Sequence, residues 1–329
     1  MRVVAIVLVV LQHAWSIPHL DTHEHGWLCY VYGALVSCGV PLFIMVSGAL
    51  NLRPAVTDYS LFFRKRFTRV LVPFLLWSAV IYLLTALTGG YSEVHGWQDI
   101  LLCYLPYLAT NRINASHWFI HVLLMLYLLT PVLQRALAAG DARKTSGYIV
   151  AVTFVMALLT KLYPEMYLLR YTSGLLIYFG LYVAGFYLSQ LDLPRAKCVI
   201  TGCAAFVVIY TGNVLLHCPA YLLYALSATA LFVLMLGADS RPTGTTGESL
   251  LTAVSRYSFF IYLVHVPLVR AFYLLQSRYV PYDGLWIDWL LPVGVALVTV
   301  ALTAALGWCA ERIFGKTALY IGIAPNMHP

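Results

Sequence analysis

The stretch Arg2-Val3-Val4-Ala5-Ile6-Val7-Leu8-Val9-Val10-Leu11-Gln12-His13 decides the fold. Between its arginine and its histidine lie nine apolar residues and Gln12. A spacing of eleven is about three helical turns, so both end residues share one face, roughly 16 Å apart along the axis. One end carries a fixed cation at the membrane surface. The other carries a titratable imidazole inside the bilayer, where a polar group is expensive and marks function. Alternatively, His13 bonds a neighbouring helix and only supports packing. Its phase match with Arg2 favours function.

Working outward, the whole chain has the same character. Of 329 residues, 61% are hydrophobic and 10% charged, against about 25% charged in a soluble domain. Further apolar stretches are long enough to cross a bilayer, which takes about 20 residues each. The expected fold is all-α, a polytopic membrane bundle of about ten transmembrane helices in one unit. We place the spans at 2–18, 28–50, 69–88, 117–135, 147–164, 173–190, 198–216, 219–237, 251–275 and 286–312. The first segment has no A-x-A cleavage site and is read as a working helix, not a signal peptide. Residues 97–110 are apolar, short and interrupted by Pro106, which reads as an interfacial or re-entrant piece.

With ten spans, one set of loops and ends collects 15 of the 20 basic residues, among them Arg2, Arg64, Lys65, Arg66, Arg69, Arg256 and Arg312. The other set holds Arg112, Lys161, Arg170 and Arg278, with Arg270 in the outer half of a span. This bias makes both termini cytoplasmic. It also explains the net charge of +7 without nucleic acid. Residues 1–316 form one transmembrane domain, and 317–329 read as a short cytoplasmic tail.

None of the 13 acidic residues falls near mid-membrane, and Glu311 sits at the inner end of the last span. Proton-coupled transporters keep carboxylates within their spans. Histidine is then the acid–base group available inside.

Other constellations carry two readings each. Arg66 and Arg69, three apart at the entry to span three, share a helix face. Two guanidinium forks suit a phosphate or pyrophosphate, while a positive-inside anchor that binds lipid headgroups is the commoner use of such a cluster. His117-Trp118-Phe119, with His121 one turn on, reads as interfacial belt or as substrate entry. Ser258, Tyr262 and His265 make a polar stripe that faces a cavity or supplies interhelical hydrogen bonds. Trp27, Trp97, Trp118 and Trp286 read as interfacial belt before sugar-stacking. His19, Asp21, His23, Glu24 and His25 crowd one outer loop without defined ligand spacing, so no metal site is assigned. The seven scattered cysteines read as small packing residues. A Cys103–Cys218 disulfide has no further support.

Taken together, the chain resembles the acyltransferase family 3 membrane proteins along its whole ten-span core. Arg2 and His13 match that family's arginine–ten residues–histidine motif, and Arg66 and Arg69 its R-x-x-R motif. Val40-Pro41-Leu42-Phe43-Ile44-Met45-Val46-Ser47-Gly48 is similar to its second-span signature. His117-Trp118-Phe119 with Tyr127 and Pro131, and Tyr257-Ser258 through His265, resemble two later ones. The size resembles the enterobacterial common antigen O-acetyltransferase group. The resemblance implies a membrane O-acyltransferase of the bacterial inner membrane. It would use acyl-CoA, by default acetyl-CoA, as co-substrate, and a hydroxyl of a glycan or lipid-linked saccharide as acceptor. A further partner in glycan assembly would receive the group where the core does not hand it over itself. It implies Arg2, Arg66 and Arg69 as donor-binding residues, His13 as the catalytic base, and Ser47, His117, Trp118, Tyr262 and His265 as substrate or oxyanion candidates. Because His13 must start neutral, activity should fall at acidic pH. Relatives usually have a short lead before the first arginine, whereas Met1 directly precedes Arg2, so a truncated or misassigned start is expected. The competing class is a transporter that exports a glycan or organic acid without bond chemistry. A sensor or scaffold would leave the Arg2–His13 phasing unexplained.

Overall fold

Valine and isoleucine are middling helix formers in water, yet Arg2–Ser16 is one helix, α1. In hydrocarbon every backbone group needs an internal partner, which makes a helix the only solution for a single crossing segment. The same rule governs the rest of the chain. The computed structural model describes residues 1–16, 26–53, 58–163, 173–215, 221–238, 246–279 and 285–324, and all regular elements among them are helical.

Helices α2 (Gly26–Val36) and α3 (Gly39–Asn51) form one apolar rod with a break at Ser37 and Cys38. Pro41 lacks the N–H that would bond the Ser37 carbonyl, so the ladder opens there. Helix α4 (Tyr59–Arg66) starts where the Asp58 carboxylate accepts the Leu61 N–H at 3.0 Å. It widens into π turns over Phe67–Leu71 and continues as α5 (Val72–Leu87). Pro73 accounts for the widening, because its missing N–H leaves the Arg69 carbonyl without its regular donor.

Next come α6 (Trp97–Ala109), a 3₁₀ turn at Ala115–His117, α7 (Trp118–Ala138), α8 (Ala142–Leu162) and α9 (Ser173–Ser189). Helices α10 (Arg195–Leu215), α11 (Tyr221–Ala238), α12 (Thr246–Tyr279) and α13 (Leu285–Phe314) follow, and a 3₁₀ turn at Gly315–Ile321 closes the series.

Seven described stretches are long and apolar enough to cross a membrane, and Arg2–Ser16, Gly174–Ser189 and Leu222–Ala238 are shorter apolar helices. The chain is a multi-pass integral membrane protein. Leu84, Leu87, Val132 and Val208 are exposed on the outside of the bundle, where lipid takes the place of water as solvent for apolar side chains. Helix α6, the piece expected at the interface, turns Leu101, Leu102 and Leu105 outward and packs Ile100 and Tyr107 against Tyr82 of α5.

Helix α1 is central and packs on α3, α12 and α13. Helices α3 and α9 cross at two glycines. A Cβ on Gly48 would collide with the Tyr182 carbonyl, and one on Gly185 with the Met45 carbonyl. Small residues are what let membrane helices approach this closely. They hold Ser47, next to Gly48, at a fixed depth.

The chain beyond residue 316 differs from the expected tail over 317–324. Ala318 and Ile323 are buried, Trp77 donates its indole N–H to the Ile321 carbonyl at 3.1 Å, and Arg256 donates to the Ala324 carbonyl at 2.8 Å. Apolar side chains at 318, 319, 321 and 323 give this short segment something to bury, which sequence position alone does not reveal.

Candidate active site: a basic cavity and a histidine layer

A cavity of about 290 Å³ opens beside the first turn of α1. Arg2, Arg66 and Arg69 line it together with Lys65 and Arg256. Ser47, Asn51, Tyr127 and Tyr262 supply its neutral polar surface, and Phe43 and Phe119 its apolar wall. Its cationic side chains thus come from three separate parts of the chain: α1, the end of α4 with the π turns that follow it, and α12.

Arg66 is held in place. It donates to the Asn51 carboxamide oxygen, and its guanidinium lies 4.2 Å from the Phe62 ring centre and 5.6 Å from that of Tyr127. Asn51 is fixed in turn, donating to the Ser47 carbonyl at 2.8 Å and to the Ser47 hydroxyl at 3.1 Å. Gln134 donates to the Asn51 carbonyl at 2.5 Å. Arg66 therefore presents a pre-oriented fork, the arrangement that favours bidentate recognition of a phosphate oxygen pair. Arg2 and Arg69 are exposed at the same mouth. Arg256 is different, since Glu311 neutralises it in an ion pair and also accepts from Tyr257 at 2.9 Å.

Tyr262 forms the boundary of this cavity. Its hydroxyl donates to the Ser116 carbonyl, and its ring meets Phe119 edge-on at 5.3 Å. On its other side lie the histidines. His265 sits one turn along α12, with its ring 5.7 Å from that of Tyr262 and 5.0 Å from that of His13. His13 is partly buried and is not among the cavity-lining residues. The shared face of α1 thus runs from the cavity at Arg2 to the histidine layer at His13, with Tyr262 between the two.

The histidines are not equivalent. His117 is 2% exposed, which removes it from any interfacial belt. The Asn114 amide donates to its Nε2 at 3.3 Å, because the Asn114 oxygen is occupied by the Ser116 N–H and hydroxyl. Nδ1 then carries the proton and donates to the Ser78 hydroxyl at 3.3 Å. Both nitrogens of His117 are used. Trp118 packs on Tyr178, with rings 5.3 Å apart, away from the cavity. In His265, Nδ1–H donates to the Tyr262 carbonyl at 2.7 Å, while Nε2 is buried with no hydrogen-bond partner among the described residues.

Sequence reasoning missed Arg256, Asn51 and Gln134. Asn51 was findable, standing four residues after Ser47 on the same helix face. Arg256 counts only among the cytoplasmic basic residues until the helices are packed, and Gln134, inside an expected span, belongs to no motif. Among the described residues no group of three or more His, Cys, Asp or Glu side chains could hold a metal. The loop of His19, Asp21, His23, Glu24 and His25 lies outside the described residues, as do Cys218 and the side chains of Trp27 and Trp286. Trp97 is exposed at the start of α6.

The fold and site define a helical membrane bundle with a basic cavity set beside a layer of histidines, and comparison with known proteins places it in a family. The family model described as an acyltransferase domain, that of acyltransferase family 3, matches residues 1–308. The chain belongs to this family. It is also similar to nodulation protein NolL of Sinorhizobium fredii (strain NBRC 101917 / NGR234), with 26% identity over 170 residues. That match spans 51% of this chain and 43% of the relative. No solved structure matches the chain.

Proposed function

We propose that this enzyme moves an acyl group, acetyl in the simplest case, from acyl-CoA to a hydroxyl of a glycan or lipid-linked saccharide. The observation that carries this reading is the convergence of Arg2, Arg66 and Arg69 on one cavity whose boundary residue, Tyr262, contacts the histidine layer. Guanidiniums at an open mouth suit the phosphates of a nucleotide-bearing thioester. The cavity lies at the low end of ligand-pocket volumes, about 300–1,000 Å³, so it takes the pyrophosphate and the first part of the pantetheine arm. The nucleotide stays at the mouth, on the cytoplasmic side of a bacterial inner membrane, with both termini on that side.

The thioester carbon then reaches His13. The imidazole takes the proton of the acceptor hydroxyl as its oxygen attacks the thioester carbonyl. The carbon–sulfur bond breaks, and the proton passes to the leaving thiolate. Of the oxyanion candidates, Ser47 lines the cavity with a hydroxyl of the type that stabilises such a charge, whereas the Tyr262 hydroxyl is committed to the Ser116 carbonyl. His117 and Trp118 hold the helices that frame the site.

The test is acetyl-CoA turnover by purified protein in lipid nanodiscs with a short glycan acceptor. Acceptor-dependent thiol release, lost in His13→Ala with the fold intact, is the expected result. Normal turnover by that variant would remove His13 from the mechanism. No CoA binding by the wild type would remove the donor.

A further inference from the structure

The geometry points to His265 as the positioning residue of His13, filling the place that a carboxylate holds in a Ser-His-Asp triad. This inference rests on the reading of His13 as the base. The sequence places no carboxylate near mid-membrane to orient an imidazole, and among the described residues Glu311 is committed to Arg256 and Tyr257. An unoriented histidine base samples two tautomers, and only one presents a bare nitrogen to the substrate.

The protonation of His265 follows from its surroundings. A carbonyl oxygen only accepts, so the nitrogen facing the Tyr262 carbonyl at 2.7 Å is the protonated one. In the neutral ring the other nitrogen, Nε2, is then a pure acceptor. That acceptor belongs to a side chain of 0% exposure and has no described partner. A buried acceptor left unpaired costs about 1–3 kcal/mol, so a donor is needed nearby. The His13 ring is 5.0 Å away, centre to centre, and tilted by 52°. A turn of the His13 side chain directs one of its ring N–H groups at Nε2, and catalytic hydrogen bonds often tighten only when substrate is bound. The second His13 nitrogen is thereby deprotonated and faces away from His265, free to accept the hydroxyl proton. When His13 becomes an imidazolium, its N–H to Nε2 strengthens, and His265 itself neither gains nor loses a proton.

His117 supplies the contrast, since its two nitrogens are both paired and it has no capacity left for this role. The other titratable or charged groups around the pair are Arg270, Tyr262 and Tyr273, the last donating to the Ala14 carbonyl at 2.5 Å.

The test combines ¹⁵N NMR of histidine-labelled protein in nanodiscs with kinetics of His265→Leu and His265→Gln. In the wild type, His13 is expected as one tautomer, with a ¹⁵N–¹⁵N coupling to His265 across the hydrogen bond. His265→Leu should mix the His13 tautomers and lower kcat about 10²–10³-fold at unchanged KM for acetyl-CoA. The amide oxygen of His265→Gln should restore at least about tenfold of that loss. A wild-type His13 already mixed between tautomers overturns the proposal, and so does a folded His265→Leu with its His13 tautomer unchanged. Wild-type protein that shows the coupling but does not turn over acetyl-CoA leaves the pair standing and removes the proposed donor instead.

Discussion

The cavity at Arg2 and the histidine layer at His13 belong to one face of one helix, yet they handle polarity in opposite ways. At the cavity, permanent charges stay near water, and Arg66 is oriented by a chain of amides through Asn51 and Gln134. In the histidine layer the imidazoles are buried or partly buried and few, and one nitrogen, His265 Nε2, has no described partner. The difference follows from solvation. A guanidinium cannot shed its charge and so must remain hydrated or paired. An imidazole can be neutral at depth and still move a proton. In the proposed reading, one helix divides donor binding from chemistry by depth, with Tyr262 as the partition.

Separating the two regions by mutation is the way to break this comparison. The largest effect is expected from His13→Ala, which should lower kcat by more than about 10³-fold while KM for acetyl-CoA stays within about threefold. A comparable rise in KM would mean that the two regions are not distinct. The double change Arg66→Ala/Arg69→Ala should do the reverse. It removes two charge-assisted hydrogen-bonding groups, worth about 1.5–3 kcal/mol each, so KM should rise about 100-fold or more and kcat should fall less. Titrating a nonhydrolysable acetyl-CoA analogue by calorimetry gives the same loss as a change in Kd.

Tyr262→Phe sharpens the partition itself. It leaves the Ser116 carbonyl without its donor and should cost about 1–3 kcal/mol of stability, read as a lower Tm in detergent. Turnover should fall about tenfold, less than for either preceding variant.

The smallest effect is expected at the pair of Glu93 and Arg112, joined at 3.1 Å in the loops flanking α6. The Arg112 hydrogen bonds hold the Glu93 carboxyl below the ordinary glutamate range. A depressed folded-state value means that its stabilisation is present above the unfolded pKa and is lost as pH falls through the folded one. Glu93→Gln should therefore leave neutral-pH turnover unchanged. Its slight Tm difference from wild type should vanish in strong acid, and a difference that grew on acidification would contradict the assignment.

Much of the candidate site was legible because its residues carry their cost with them. Arg2 and His13 stand out against nine apolar neighbours, and Arg66 and Arg69 against the helix they enter. Burial is what sequence could not weigh. The His117 motif reads as an interfacial belt because it opens a span, whereas Asn114 and Ser78 draw the imidazole inside. Arg256 reads as a cytoplasmic anchor, whereas packing of α12 on α13 sets it against Glu311 and the cavity.

By itself the sequence determined that this protein is a helical membrane bundle, because a backbone in hydrocarbon has no other partner than itself. It also determined which helix carries the cation and the imidazole, through a spacing that is local and periodic. Only the tertiary structure decided which of four spatially grouped residues, His13, His117, Tyr262 and His265, share a layer and which nitrogen among them has no partner among the described residues. Those facts depend on packing between residues more than a hundred positions apart, and no local pattern encodes a hydrogen bond that is left unmade.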